Sequence, residues 1–167
     1  MKKILLIGNG AREHAIAEAL QRSRGGVEIF AVGKTKNPGI CGDGQRNSGL
    51  LNGGEYLLKD VCDIDAIREL ALRGKPDFAV VGPEAPIAAG VVDMLLEVGV
   101  QSASPLQTVG RLESSKAFTR DLVEKYKIPG NPKYKVFYNE KGLKEFFKEL
   151  GEDFVVKADG LKGGKGV

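Results

Sequence analysis

Apolar residues in this chain alternate between two rhythms. Residues 4–7 form an unbroken apolar run closed by Gly8, Asn9 and Gly10, the pattern of a strand buried on both faces of a parallel sheet. Residues 12–22 then carry Ala15, Ile16, Ala19 and Leu20 at helical spacing, a stripe expected to face inward. A second strand is predicted over 27–32 and a long glycine-, asparagine- and proline-rich loop over 33–54, with a short element inside it. A weak strand over 57–61 follows. A helix over 64–72 turns Ile64, Ile67 and Ala71 inward, and a buried strand over 78–81 is closed by Gly82-Pro83.

Ile87, Val91, Met94, Leu95 and Val98 predict one helix ending at Gly99, with a short strand over 100–103 after it. Strand–helix alternation with short connections argues an α/β, doubly wound parallel sheet. After Ser104-Pro105 the order of elements changes. Helices are predicted over 106–113 and 115–126, a strand over 134–138, a helix carrying Leu143, Phe146, Phe147 and Leu150, and a last strand over 154–157. A boundary near residue 104 divides the chain into domains 1–103 and 104–167. The second is small for an independent core.

Composition narrows the picture. The 167 residues are 42% hydrophobic and 28% charged, an ordinary globular mixture. A net charge of +3, without basic runs interleaved with aromatics, argues against nucleic acid. No stretch reaches membrane-spanning length, and the basic start is followed by too short an apolar run for a signal peptide. Cys41 and Cys62 fit free thiols in a reducing cytoplasm better than a disulfide framework. His14 is the single histidine, and no soft-ligand metal cluster accompanies it. Nothing in the pattern specifies an oligomer.

Four clusters carry candidate chemistry. The turn over residues 8–14, G-N-G-A-R-E-H, joins the first strand to the first helix, where Gly8 and Gly10 permit a sharp turn and helix amides can face an anion. A dinucleotide fingerprint would place a third glycine at Glu13 and an acidic residue near Val32, Gly33 and Lys34, so that reading is disfavoured. A phosphate-binding turn and a purely structural one both remain open.

G-P-E-A-P over 82–86 puts Glu84 on a stiff backbone at the same rim of the sheet. It suits either a carboxylate holding a ligand amine or hydroxyl, or a solvated residue favoured by a helix dipole. Lys116, in S-S-K-A-F, opens a helix; alone it reads as a solvated lysine. The final cluster, K-A-D-G-L-K-G-G-K-G-V, ends an apolar segment on Lys157 and continues with Gly160, Lys162, Gly163, Gly164, Lys165 and Gly166. It lacks the length and the Ser or Thr of a Walker A loop, but bare amides and ammonium groups there can surround a polyphosphate. A flexible linker is the other reading.

Taken together and in order, IGNGAREHAIAEAL, VVGPEAPIAAGVVD, LESSKAFTRDL and KADGLKGGKGV resemble the phosphoribosylamine–glycine ligase family of the ATP-grasp superfamily. The resemblance spans the chain. It implies a substrate-side α/β domain followed by the truncated start of an ATP-grasp domain. It further implies ATP-dependent joining of glycine to 5-phosphoribosylamine through a glycyl phosphate, in purine biosynthesis, with Mg or Mn as metal.

On that pattern Lys116 and Lys157 contact ATP phosphates, and Gly163, Gly164, Lys165 and Gly166 form the loop over the triphosphate. Gly8, Gly10 and Glu84 lie on the glycine and phosphoribosylamine side. The family's metal ligands lie later in its sequence than any residue here, so the chain alone is expected to be inactive, with a mobile final loop. Two departures stand out: residues 34–40 read KTKNPGI where relatives read PGN-PGT, and Ser104 replaces a usual glycine. Another ATP-grasp ligase or a biotin-carboxylase-like enzyme, and a non-catalytic nucleotide- or phosphate-binding module, are the alternatives.

Overall fold

A computed structural model describes residues 1–42, 49–163 and 165–167, so Gly164 lies outside the described residues. The chain divides into two compact units, Met1–Gly110 and Arg111–Val167.

The first unit is a four-stranded parallel sheet of β1 (Lys2–Ile7), β2 (Val27–Gly33), β3 (Tyr56–Leu58) and β4 (Phe78–Val81), in the order β3-β2-β1-β4. Around it lie α1 (Ala11–Gln21), α2 (Pro38–Cys41), α3 (Ile64–Gly74), α4 (Glu84–Ala88) and α5 (Val91–Glu97), with α6 (Gln107–Ser114) leaving it. The unbroken apolar run of β1 is explained by its two covered faces. Leu5 and Ile7 pack with Phe30, Val32, Ile67, Leu70 and Leu95 on one side. Ile4 and Leu6 pack with Ile29, Ala31, Ala17 and Ile40 on the other. The outer edge of β4 is closed by Gln101 and Ala103, which exchange backbone bonds with Ala79, and by Ser104. The Ser104 hydroxyl donates to the Val81 carbonyl at 2.7 Å and accepts from its N–H at 2.9 Å. The serine departure therefore seals a sheet edge.

Three expectations change here. The stripe predicted over 87–98 is two helices, because Gly90 adopts a left-handed φ of +90° between α4 and α5. The strand expected over 100–103 is a single bridge, Ala79 to Ser102. In α1 Ile16 and Leu20 pack inward as expected, but their inward companions are Glu13 and Ala17, whereas Ala15 and Ala19 are exposed. The stripe is thus Glu13, Ile16, Ala17 and Leu20, rotated by about a quarter turn.

In the second unit α7 (Lys116–Lys125) and α8 (Leu143–Leu150) form as expected. The segments 134–138 and 154–157 are irregular and form no ladder with each other or with any described residue. Apolar alternation marks strand potential, and a strand also needs a hydrogen-bonding neighbour. Side chains anchor them instead. Phe154 stacks on Phe147 of α8 at 4.2 Å between centroids, and the Tyr134 hydroxyl donates to Asp121 of α7 at 2.7 Å. That bond to a carboxylate, followed by desolvation, pushes the Tyr134 pKa up to about 12.

Leu5 is fully buried at the centre of the sheet. Leu5→Ala should lower unfolding free energy by about 2–5 kcal/mol, read by urea denaturation. The same truncation at exposed Leu72 should cost less than about 1 kcal/mol.

Candidate functional site

The strand order places a topological switch point at β1. The chain moves from β1 to β2 and β3 on one side, then returns to β4 on the other. Ligands of open parallel sheets bind beyond the carboxyl ends of the strands at such a point. The turn after β1 and the turn after β4 flank it, bringing Gly8 and Gly10 to one wall and Gly82 and Glu84 to the other.

Glu13, which breaks the dinucleotide fingerprint, organises this crevice. Glu13 is only 3% exposed, and its Oε2 accepts from the Gly10 N–H at 2.7 Å. Gly10 has no side chain to return the bond, so half of a capping box is present. A Cβ at Gly8 would lie 2.6 Å from Glu13 Cγ, and one at Gly82 only 2.1 Å from Glu13 Oε1. The glycines therefore make room for a protein carboxyl group. Its Oε1 has no hydrogen-bond partner among the described residues. Arg12 Nε, at 3.7 Å, supplies charge compensation beyond hydrogen-bond range. The Arg12 guanidinium itself donates to the Gly82 carbonyl at 2.7 Å, joining the two walls.

Much of the turn's hydrogen-bonding capacity is already used. Gly8 N–H donates to Val32 and Gly82 N–H to Ile7, while Gly10 serves Glu13. The first helical bond of α1 runs from His14 N–H to the Gly10 carbonyl at 3.1 Å. The N–H groups of Ala11, Arg12 and Glu13 therefore precede the helical ladder and are the orphan donors of this helix. Glu84 opens α4, is half-buried, and has no hydrogen bond or ion pair to a described residue.

The unusual loop over 34–40 belongs to this rim. The Asn37 amide donates to the carbonyls of Asn9 and Gly10, both at 3.1 Å, and its oxygen caps α2 through Gly39 N–H. Farther along the rim Lys34 pairs with Asp60 at 3.0 Å. The Cys62 N–H bond and then Lys34 hold the Asp60 carboxyl below its usual range. Neither Asn37 nor Asp60 had a motif to announce it.

The second unit brings Lys116 to the glycine loop. Lys116 Nζ donates to the Gly160 carbonyl at 2.7 Å. Asp159, within KADG, accepts at Oδ1 from the N–H groups of Lys116 and Ala117, at 2.7 and 3.2 Å, and at Oδ2 from the Ser115 hydroxyl at 3.0 Å. Burial works against its charge, but bonds from Ala117, Ser115, Gly160 and Lys116 outweigh it and hold Asp159 below the ordinary carboxylate range. The loop mouth is closed by Ala158 N–H donating to the Gly166 carbonyl at 2.9 Å, and Lys165 N–H turns back to Lys162. Gly163 adopts a φ of +55°. Lys157 is exposed two residues before Asp159. Among the described residues no group of three His, Cys, Asp or Glu side chains could hold a metal, and no helix is long and apolar enough to cross a membrane.

The family model for the phosphoribosylglycinamide synthetase N domain matches residues 2–113, and that for the ATP-grasp (A) domain of the same synthetase matches 114–167. The chain belongs to the phosphoribosylglycinamide synthetase family. It is 44% identical over 167 residues to phosphoribosylamine–glycine ligase of Pyrococcus furiosus, covering 100% of this chain and 36% of that protein. It is 45% identical over 170 residues to the Methanocaldococcus jannaschii ligase, covering 99% and 36%. The chain thus spans about a third of the length of these synthetase relatives. Among solved structures, the biotin carboxylase domain of Hydrogenobacter thermophilus 2-oxoglutarate carboxylase, complexed with MgADP, ADP and bicarbonate, superposes with a TM-score of 0.74 at 18% identity, over 98% of this chain and 36% of that one. At that identity the likeness supports the α/β fold alone.

Two predictions follow from the carboxylates. Glu13→Ala and Gly82→Ala should each destabilise the protein, by about 1–3 kcal/mol. The double variant should cost less than their sum, because the alanine at 82 then fills space left by Glu13; chemical denaturation of all four proteins reads the coupling. For Asp159, a folded pKa below the unfolded one means its contribution is present above the ordinary carboxylate range and lost as pH falls through the folded value. The Lys116 and Ala117 amide resonances should shift in acid, below that range. A transition centred within or above it would contradict the bonding described.

Proposed function

We propose that this chain is the N-terminal portion of a ligase that joins glycine to 5-phosphoribosylamine, splitting ATP to ADP and phosphate. The observation that carries the reading is the serial match of both synthetase domain models across residues 2–167. On this reading residues 1–103 form the substrate-side domain, and 104–167 the linker helices and opening of the ATP-grasp subdomain. The glycine carboxylate takes the γ-phosphoryl group to become a glycyl phosphate. The amine of phosphoribosylamine then attacks its carbonyl carbon and expels phosphate. Such chemistry depends on positioning and charge neutralisation more than on a protein nucleophile.

The orphan amides of Ala11, Arg12 and Glu13, with the Arg12 guanidinium, suit the sugar phosphate. Glu84, a carboxylate free to accept, suits an amine or hydroxyl at the facing wall. Lys116, Lys157, Lys165 and the loop glycines Gly163 and Gly166 suit the ATP phosphates; Gly164, in the same loop, belongs to this assignment by sequence. A divalent ion, Mg or Mn, would neutralise phosphate charge in such a reaction. The described residues do not fit it, having no group of three His, Cys, Asp or Glu side chains that could hold it.

Calorimetry with ribose 5-phosphate, a stable stand-in for the sugar phosphate, tests the first domain. Binding should occur, and Arg12→Ala should weaken it about tenfold. Incubation of the chain with glycine, phosphoribosylamine and MgATP should release no ADP above background. Sugar-phosphate binding indifferent to Arg12, or turnover by the chain alone, would contradict the reading.

A further inference from the structure

We infer that Asp159 is a positioning residue for polyphosphate: it clips the KADG segment to the start of α7 and so sets Lys116 and Lys157 in one arrangement. The inference rests on reading Lys116, Lys157 and the glycine loop as groups that bind ATP phosphates. Three features support it. The Asp159 carboxylate reaches across the chain to Ser115, Lys116 and Ala117, at separations of 2.7–3.2 Å. That contact connects α7, which carries Lys116, to the segment that carries Lys157 two residues earlier. The neighbouring Gly160 carbonyl accepts from Lys116 Nζ at 2.7 Å, fixing one of the ammonium's three donors and leaving two for another acceptor. Finally, the Ala158–Gly166 bond closes the loop that Asp159 anchors.

The clip also decides where a phosphate does not go. A helix N-terminus is ordinarily an anion site, but that of α7 already holds a carboxylate from its own chain. Ser115 adds a second cap, its Oγ accepting from Phe118 N–H at 3.2 Å. A phosphate on those amides would have to displace Asp159 and would meet its negative charge. The lysine ammonium groups and the glycine loop are left as the phosphate ligands, and Asp159 acts through them without touching phosphate.

Tripolyphosphate, which carries the phosphate chain without adenine or ribose, is the probe. Its binding to the chain is followed by phosphorus NMR and calorimetry. Wild-type protein should bind it, and Lys116→Ala and Lys157→Ala should each weaken that binding. Asp159→Ala should weaken it about tenfold. Asp159→Asn, which keeps an oxygen to accept from Lys116 and Ala117, should stay within about threefold of wild type. Ser115→Ala removes a cap and one of the three clip bonds but keeps those from the Lys116 and Ala117 N–H groups, so it should lower Tm and weaken binding less than Asp159→Ala does.

Wild-type affinity in Asp159→Ala, or equal weakening in Ser115→Ala and Asp159→Ala, would overturn the positioning role while leaving the lysine reading intact. Absence of wild-type binding would overturn the lysine reading and the inference with it. Circular dichroism of each variant registers loss of α7, and Asp159→Asn keeps the test decisive if Asp159→Ala unfolds.

Discussion

A buried carboxyl group in a socket of glycines is the constraint on which the sheet's working end depends. Glu13 enters the protein at the third position of α1, where an acidic residue complements the helix dipole. Burying it demands a hydrogen bond, which Gly10 supplies, and space, which Gly8 and Gly82 supply by having no side chains. Because Gly8 follows β1 and Gly82 follows β4, one side chain ties together the two turns that flank the switch point. Arg12 completes the tie from outside by bonding the Gly82 carbonyl. Oε1, without a hydrogen bond among the described residues, carries a cost at the place where the sheet presents its crevice.

Asp159 does for the second unit what Glu13 does for the first. In each case a carboxylate belonging to the chain occupies donors at the start of a helix, α1 or α7, and the helix terminus is thereby tied to a glycine-containing turn. The groups left over differ. At α1 they are three backbone amides and an arginine; around α7 they are lysine ammonium groups and a closed loop. On the proposed function, a sugar phosphate is assigned to the first set and a polyphosphate to the second.

The sheet was legible in the sequence because parallel strands covered on both faces are written as continuous apolar runs, as in β1, β2 and β4. What periodicity missed has identifiable causes. The apolar stripe Ala15, Ile16, Ala19 and Leu20 located Ile16 and Leu20 correctly, but Glu13 and Ala17 are buried where the two other alanines were expected, and Glu13 gains a bond and a socket there. Gly90 divided a helix whose apolar spacing ran straight through it. The segments 134–138 and 154–157 carry strand-like alternation, but alternation is local and a ladder is not. Among candidate site residues, the rim positions of Gly8, Gly10 and Glu84 followed from strand ends, and the approach of Lys116 to the KADG segment followed from no local pattern. Asn37, Asp60 and Asp159 act through contacts distant in sequence, so only folding brings them to view.

Amide hydrogen exchange, resolved by residue in the free protein and with ribose 5-phosphate, tests the arrangement of the crevice most directly. The Gly8, Gly10 and Gly82 amides should already be protected in the free protein. On ligand addition, new protection should appear at Ala11, Arg12 and Glu13. Rapid exchange at Gly10 and Gly82 in the free protein, with ligand protection appearing there instead, would contradict that arrangement.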